Sequence, residues 1–193
     1  MIAYIKGTVD HISDQTVVLE NQGIGYIISA APATLGRLPR NEEVQIHTYM
    51  QVKEDGMSLF GFLNQEELQL FRLLISISGI GPKVGMAILG IMSPSQIMVA
   101  IVNQDAVAFS KVPGVGKKTA QRITLELQDK IKTTTQDGND GAVTLASSEK
   151  QDAIEALLSL GYGRSESMKA VLAVATEDMA ADQIIRLALK NLM

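Results

Sequence analysis

The sequence predicts a multidomain α+β protein: a small N-terminal β-barrel, a central pair of helical hairpins, and a C-terminal three-helix bundle on a flexible linker. Three observations carry this. β-Branched and aromatic residues cluster in short runs over roughly the first sixty positions. A glycine-turn segment then repeats at an offset of 35 residues. After a polar stretch without periodicity, the final residues return to a helical pattern. The expected boundaries are 1–63 for the barrel, 64–132 for the hairpins, 133–148 for the linker and 149–193 for the bundle.

Residues 2–9, 15–20, 25–29 and 44–52 read as strands, broken at Asp10, Asp14, Asn21-Gln22-Gly23 and Asn41-Glu42. Short strands at this spacing, closed within about sixty residues, suggest a barrel such as the OB-fold. Gly7, Gly23 and Gly25 are expected at bulges or barrel corners rather than in strand interiors. Lys53-Glu54-Asp55-Gly56, followed by Met57-Ser58-Leu59-Phe60-Gly61-Phe62, carries the Asp-Gly signal of a tight β-turn. Glu54 and Asp55 should therefore stand at an exposed hairpin tip, which on the residues alone is an ordinary solvated turn.

At Asn64 the period becomes helical. Asn64 is placed as an N-cap with Glu67 at the third helical position, and Leu68, Phe71, Leu74 and Ile75 line one face. Glu66 and Glu67 serve the helix dipole rather than catalysis. Gly79-Ile80-Gly81-Pro82-Lys83 then turns the chain into a second helix. Ser93-Pro94 opens another helix with proline in its first position. Ile97, Val99, Ala100, Val102 and Ala106 continue a helical pattern toward the second turn, Gly114-Val115-Gly116-Lys117-Lys118.

The repeat extends beyond the turns: Leu74 aligns with Phe109, Ile77 with Val112, Lys83 with Lys118 and Ile88 with Ile123. Glycine permits positive φ and lets another molecule come close, because it has no Cβ. Each turn leads into a helix N-terminus, whose N–H groups and positive dipole end attract an anion, and a lysine adds a full charge. Such a site suits a phosphate, and two copies suit the two strands of a duplex. Backbone contacts of this kind position a protein without reading bases. One Gly-x-Gly between helices is commonly a C-cap; two in matching register, each followed by lysine, point further. Arg122, one helical turn beyond Lys118, can face the same phosphate track.

Gly116-Lys117-Lys118-Thr119 also resembles the tail of a nucleotide-binding glycine loop. That motif needs an earlier glycine where Lys111 stands and a strand leading in, so ATP binding is excluded.

Charge is distributed unevenly along a chain whose formal total is −4. Residues 1–63 hold four Lys/Arg against seven Asp/Glu, 64–132 eight against five, and 133–193 five against nine. Only the hairpin segment is basic, so acidic flanks restrict where a polyanion can sit. No apolar run approaches membrane-spanning length, and 46% hydrophobic residues is ordinary for a soluble protein. The N-terminus enters a strand pattern at once, leaving no room for a secretory signal, and there is no cysteine. A cytoplasmic location is expected.

Residues 133–148 are small, polar and aperiodic, as a linker should be. Beyond them, Ser148 and Gln151 stand at capping-box spacing. Three amphipathic helices follow, marked by Ile154, Leu157 and Leu158; by Met168, Val171 and Leu172; and by Ile184, Ile185, Ala188, Leu189 and Leu192. The first turn is Leu160-Gly161-Tyr162-Gly163. So small a bundle, expected to be UBA-like, has apolar surface to offer a partner unless its own core takes it all.

In this order of parts the chain resembles the RuvA family of bacterial Holliday-junction-binding proteins over essentially its whole length. The most specific stretches are Ser78-Gly79-Ile80-Gly81-Pro82-Lys83, Val112-Pro113-Gly114-Val115-Gly116-Lys117-Lys118-Thr119-Ala120, and Glu54-Asp55 before Leu59-Phe60-Gly61-Phe62. The resemblance implies a homotetramer holding a four-way DNA junction open and planar, with one or two tetramers per junction, in homologous recombination and DNA repair. It implies DNA contacts at Gly79, Gly81, Lys83, Gly114, Gly116, Lys117, Lys118, Thr119 and Arg122. Glu54 and Asp55 map to an acidic pin at the crossover. Residues 149–193 would engage RuvB, a hexameric ATPase motor, and the RuvC resolvase is a further partner. No catalytic residue, cofactor or metal site is expected in this chain, because ATP hydrolysis belongs to the motor.

Two departures stand out. Lys53 precedes the pin where the family is associated with arginine, and Gly85 weakens its helix by about 1 kcal/mol relative to alanine, marking close packing or approach. Helix-hairpin-helix units also occur in glycosylases and nucleases, but the acidic pairs here lie at a turn tip, at Glu42-Glu43 and at a helix start, without completing a metal-binding set. The remaining alternative is a generic DNA-binding accessory module of a repair enzyme. It would leave the acidic tip and the tethered tail without a role.

Overall fold

The β-branched runs of the first sixty residues become five strands, with one short helix among them. In chain order these are β1 (Tyr4–Ile12), β2 (Thr16–Asn21), β3 (Ile24–Ser29), α1 (Pro32–Leu35), β4 (Glu43–Lys53) and β5 (Gly56–Phe62). The computed structural model describes residues 1–134, 148–175 and 179–192. The chain divides into two compact units, Met1–Ile91 and Met92–Met193.

In the first unit the strands close into an OB-like barrel in the order β1-β2-β3-β5-β4. All pairings are antiparallel except β3 with β5. Period-two alternation turns Ile5, Val9, Val17, Leu19, Ile28 and Ile46 inward, and Leu35 and Leu38 join the same core. The glycine expectation needs correcting. The register shift in β1 falls between Val9 and His11, and Gly7 and Gly25 lie inside strands. Gly7 is needed there because a Cβ would run into the Glu20 carbonyl oxygen of the neighbouring strand. Gly23 does occupy a turn, at φ 83°. Lys6 and Glu43 pair at 2.8 Å across β1 and β4. The hydrogen bond that Lys6 donates to this carboxylate, and then the carboxylate's charge, hold the lysine above its ordinary pKa.

Two helices complete this unit, α2 (Gln65–Ile75) and α3 (Pro82–Ile91). The Asn64 side chain accepts from the Glu67 backbone N–H at 2.8 Å, as its spacing predicts. Phe71 anchors α2 to the barrel, with ring centroids 4.9 Å from Phe62, 5.4 Å from Tyr49 and 5.7 Å from Phe60. Gly85 follows from how closely α3 lies on α2. A Cβ at that position would meet Phe71 Cε2 at 3.1 Å and Ile75 Cγ2 at 3.2 Å.

The second unit opens with α4 (Pro94–Val102), α5 (Ala106–Ser110) and α6 (Lys117–Thr134). Proline stands at the start of α4 as predicted, and Ser93 with Gln96 forms a complete capping box. The helical pattern read through to Ala106 is interrupted. Gln104 takes φ 54°, and Asp105 caps α5 by accepting from the N–H groups of Val107 and Ala108. The Gln104 amide donates to Gln128 Oε1 at 2.9 Å, tying this break to α6.

The tail forms α7 (Ser148–Ser159), α8 (Arg164–Val174) and α9 (Ala181–Leu192), and α8 also packs against α4. Ala153, Ile154, Leu157, Ala170, Val171, Ile184 and Ala188 make its core, with Leu158, Met168, Ile185, Leu189 and Leu192 packed around them. Leu160 and Leu187 remain exposed. Of the expected linker, residues 135–147 lie outside the described residues. Among the described residues no single helix is long and apolar enough to cross a membrane.

Candidate nucleic-acid interface

The two glycine turns reproduce one hydrogen-bond pattern, each within its own unit. In the first, Ile77 N–H donates to the Leu74 carbonyl at 3.2 Å and Ile80 N–H to the Ile77 carbonyl at 3.0 Å. In the second, Val112 N–H donates to the Phe109 carbonyl at 3.1 Å and Val115 N–H to the Val112 carbonyl at 3.0 Å. Every one of these positions is displaced by 35 residues from its counterpart. Ile77 and Ile80, like Val112 and Val115, are buried and pin their turns from below.

The two glycines of each turn do different things. Gly79 and Gly114 take φ of 92° and 87°, a region that side chains with a Cβ rarely adopt. Gly81 and Gly116 lie outside that region, and a Cβ on either would meet nothing within 4 Å. The chain itself therefore has no need of glycine at 81 or 116. Their bare backbone leaves room for something external to come close.

The helices that follow are prepared for an anion. Side chains cap the other helices of the hairpin region: Asn64 caps α2, Ser93 caps α4 and Asp105 caps α5. Before α3 and α6 stands a glycine, which has no side chain to cap with. Neither helix has an acidic residue in its first turn. Instead Lys83 exposes its side chain in the first turn of α3, and Lys117 and Lys118 do so in that of α6. Cations at a helix N-terminus oppose the macrodipole, so this placement costs helix stability and suits a bound phosphate. Thr119 is half-buried beside them, and Arg122 shares the Lys118 face at four residues' distance.

The predicted tip is also where the structure places it. Lys53 pairs with Gly56, leaving Glu54 and Asp55 as the turn between β4 and β5. Every residue from 52 to 58 is exposed, so this end of the hairpin stands clear of the barrel core.

Sequence reasoning missed Glu126. Arg122 Nε donates to Glu126 Oε1 at 2.8 Å. The signal was available as an Arg/Glu pair at i and i+4.

Comparison with known proteins matches three family models in chain order. They are the RuvA N terminal domain over residues 1–61, a SAM-like helix-hairpin-helix tandem over 71–129, and the RuvA C-terminal domain over 148–193. Among curated relatives, a protein of Acetivibrio thermocellus is 43% identical over 199 residues, covering 100% of this chain and 98% of the relative. One from Alkaliphilus oremlandii is 40% identical over 193 residues, covering 100% of both. One from Coxiella burnetii is 36% identical over 197 residues, covering 100% of this chain and 98% of its own. Each of these relatives is named Holliday junction branch migration complex subunit RuvA.

Proposed function

The chain belongs to the RuvA family, and on that premise we propose that it binds four-way DNA junctions by their shape and holds them open for branch migration. The observation that carries this reading is the duplicated turn. Twice, at an offset of 35 residues, the same hydrogen bonds present a bare glycine backbone and a glycine-led, lysine-bearing helix start. Phosphates are gripped there by Gly79, Gly81 and Lys83 in the first copy. In the second, Gly114, Gly116, Lys117, Lys118, Thr119 and Arg122 do the same. None of these contacts needs to read a base, and a junction that moves must be held without regard to sequence.

Glu54 and Asp55 act as an acidic pin. A homotetramer, bound singly or in pairs to one junction, would bring four such tips to its axis, where their charge repels phosphates and helps keep strands apart. Migration exchanges base pairs broken for base pairs made, so its direction has to come from a partner. The chain is a non-catalytic DNA-binding subunit that recruits the RuvB ATPase through residues 149–193, in the cytoplasm. Exposed Leu160 and Leu187 support that tail role, as apolar surface the bundle does not spend on its own core. The RuvC resolvase is assigned as a further partner. The domain limits 1–63, 64–132, 133–148 and 149–193 follow this division of labour.

The test is a competition gel shift of a synthetic four-way junction against linear duplex of the same arm sequence, without ATP. Strong preference for the junction is expected. Equal affinity would withdraw the junction assignment and leave a generic helix-hairpin-helix DNA grip.

A further inference from the structure

We infer that Glu126 governs how firmly α6 holds a phosphate, by competing with that phosphate for Arg122. The two side chains meet at 2.8 Å and are 51% and 36% exposed. Their order along the helix is the less helpful one: a basic residue N-terminal to an acidic one at i,i+4 runs against the macrodipole. An exposed pair in this orientation contributes little to the helix, which leaves its presence to be explained by what Arg122 does.

A guanidinium presents a planar fork of donors that fits a carboxylate and a phosphate alike. Glu126 is therefore a built-in substitute for a phosphate, one helical turn from Arg122 on the face that Lys118 opens. When a duplex phosphate reaches the start of α6, Arg122 passes from one anion to the other. When the duplex shifts, Arg122 returns to Glu126. Both steps then exchange one charge-assisted hydrogen bond for another, which keeps the grip strong enough to hold and weak enough to slide. Lys117 and Lys118, without an acidic residue in the first turn, supply the steady part of the attraction.

This role rests on the junction-binding reading, and its test separates the two. Glu126→Gln keeps the size and an acceptor oxygen but removes the charge. Binding of Glu126→Gln, Arg122→Ala and the double variant is measured by fluorescence anisotropy at several salt concentrations, on linear duplex and on a four-way junction. Dissociation is followed by stopped flow. The expected result is that Glu126→Gln binds both DNAs three- to tenfold more tightly, mainly through slower dissociation. In the Arg122→Ala background the same change should make less than a twofold difference.

Unchanged or weaker binding by Glu126→Gln would overturn the inference, because Glu126 would then be holding Arg122 in place for DNA. An equal gain in both backgrounds would overturn it too, since Glu126 would be repelling DNA directly. The cycle is read on linear duplex as well as on the junction. Loss of junction preference in the parent protein would therefore defeat the proposed function while leaving the Glu126 result standing.

Discussion

The two hairpins share a backbone and differ in almost everything that supports it. The first rests on the barrel through Phe71, in a cluster with Tyr49, Phe60 and Phe62, and packs so closely that a Cβ at residue 85 would press on Phe71 and Ile75. Its second helix opens with the single basic residue Lys83. The second hairpin enters through α5, five residues long, and leaves through α6, eighteen residues long. It carries Lys117, Lys118 and Arg122, and the position matching Gly85 is Ala120, fully buried. Duplication preserved the backbone of the glycine turn. Anchoring was concentrated in one copy and positive charge in the other.

The largest expected effect follows from that division of charge. Lys117→Ala with Lys118→Ala should lower the slope of log affinity against log salt by about 1.8, and Lys83→Ala by about 0.9, since each lost phosphate contact removes about 0.9. Salt titrations of junction binding measure both. Equal losses would mean that the two copies share the load evenly.

Next come the turn glycines, where one class of change separates binding from folding. Gly81→Ala and Gly116→Ala should weaken DNA binding while leaving the thermal midpoint nearly unchanged, because a Cβ meets nothing there. Gly79→Ala and Gly114→Ala should instead cost about 1–2 kcal/mol of stability, the penalty for a Cβ in the left-handed region. Normal DNA affinity in folded Gly81→Ala and Gly116→Ala would show that nothing approaches those backbones.

A smaller effect is expected at the tip, which belongs to neither hairpin. Glu54→Ala with Asp55→Ala should leave total DNA affinity equal or higher while narrowing the margin between junction and duplex. Competition between the two DNAs reads this directly, and a collapse of binding would make the tip structural.

The smallest effect is confined to stability. Gly85→Ala gains about 1 kcal/mol of helix propensity but overpacks Phe71 and Ile75 at a cost of about 1–3 kcal/mol. The reverse change at the matched site, Ala120→Gly, loses about 1 kcal/mol of propensity. Both variants should unfold at lower denaturant concentration than the parent. A stabilised Gly85→Ala would mean that α3 can draw back from α2 without penalty.

What the sequence revealed was local. Strand runs, the Asp-Gly tip, the Asn64 and Ser93 caps and the 35-residue repeat are written in neighbouring residues, and the structure contains all of them. What it hid depends on partners far along the chain. Gly7 is explained by the Glu20 carbonyl and Gly61 by Ile28 and Ile46, none of which a turn rule can find. The break before α5 was missed because the apolar pattern runs through it. Only Asp105, capping at the right place, and Gln104, bonded to a residue 24 positions away, reveal the interruption. For the candidate interface, the residue types were legible, whereas the Arg122–Glu126 pair was missed although its i,i+4 spacing carries the signal. The distinct tasks of the two glycines in each turn required coordinates.

The barrel is joined unevenly. β4 and β5 pair over seven residues and β1 and β4 over five, whereas β3 meets β5 through Ile28↔Leu59 and Ser29↔Phe60 alone. Sheets breathe where their ladder is shortest, so hydrogen exchange in the barrel should begin at this seam. The acidic tip then rides on a flap, joined to β1 along five rungs and latched to β3 by two, and the direction in which it points depends on the firmness of that latch.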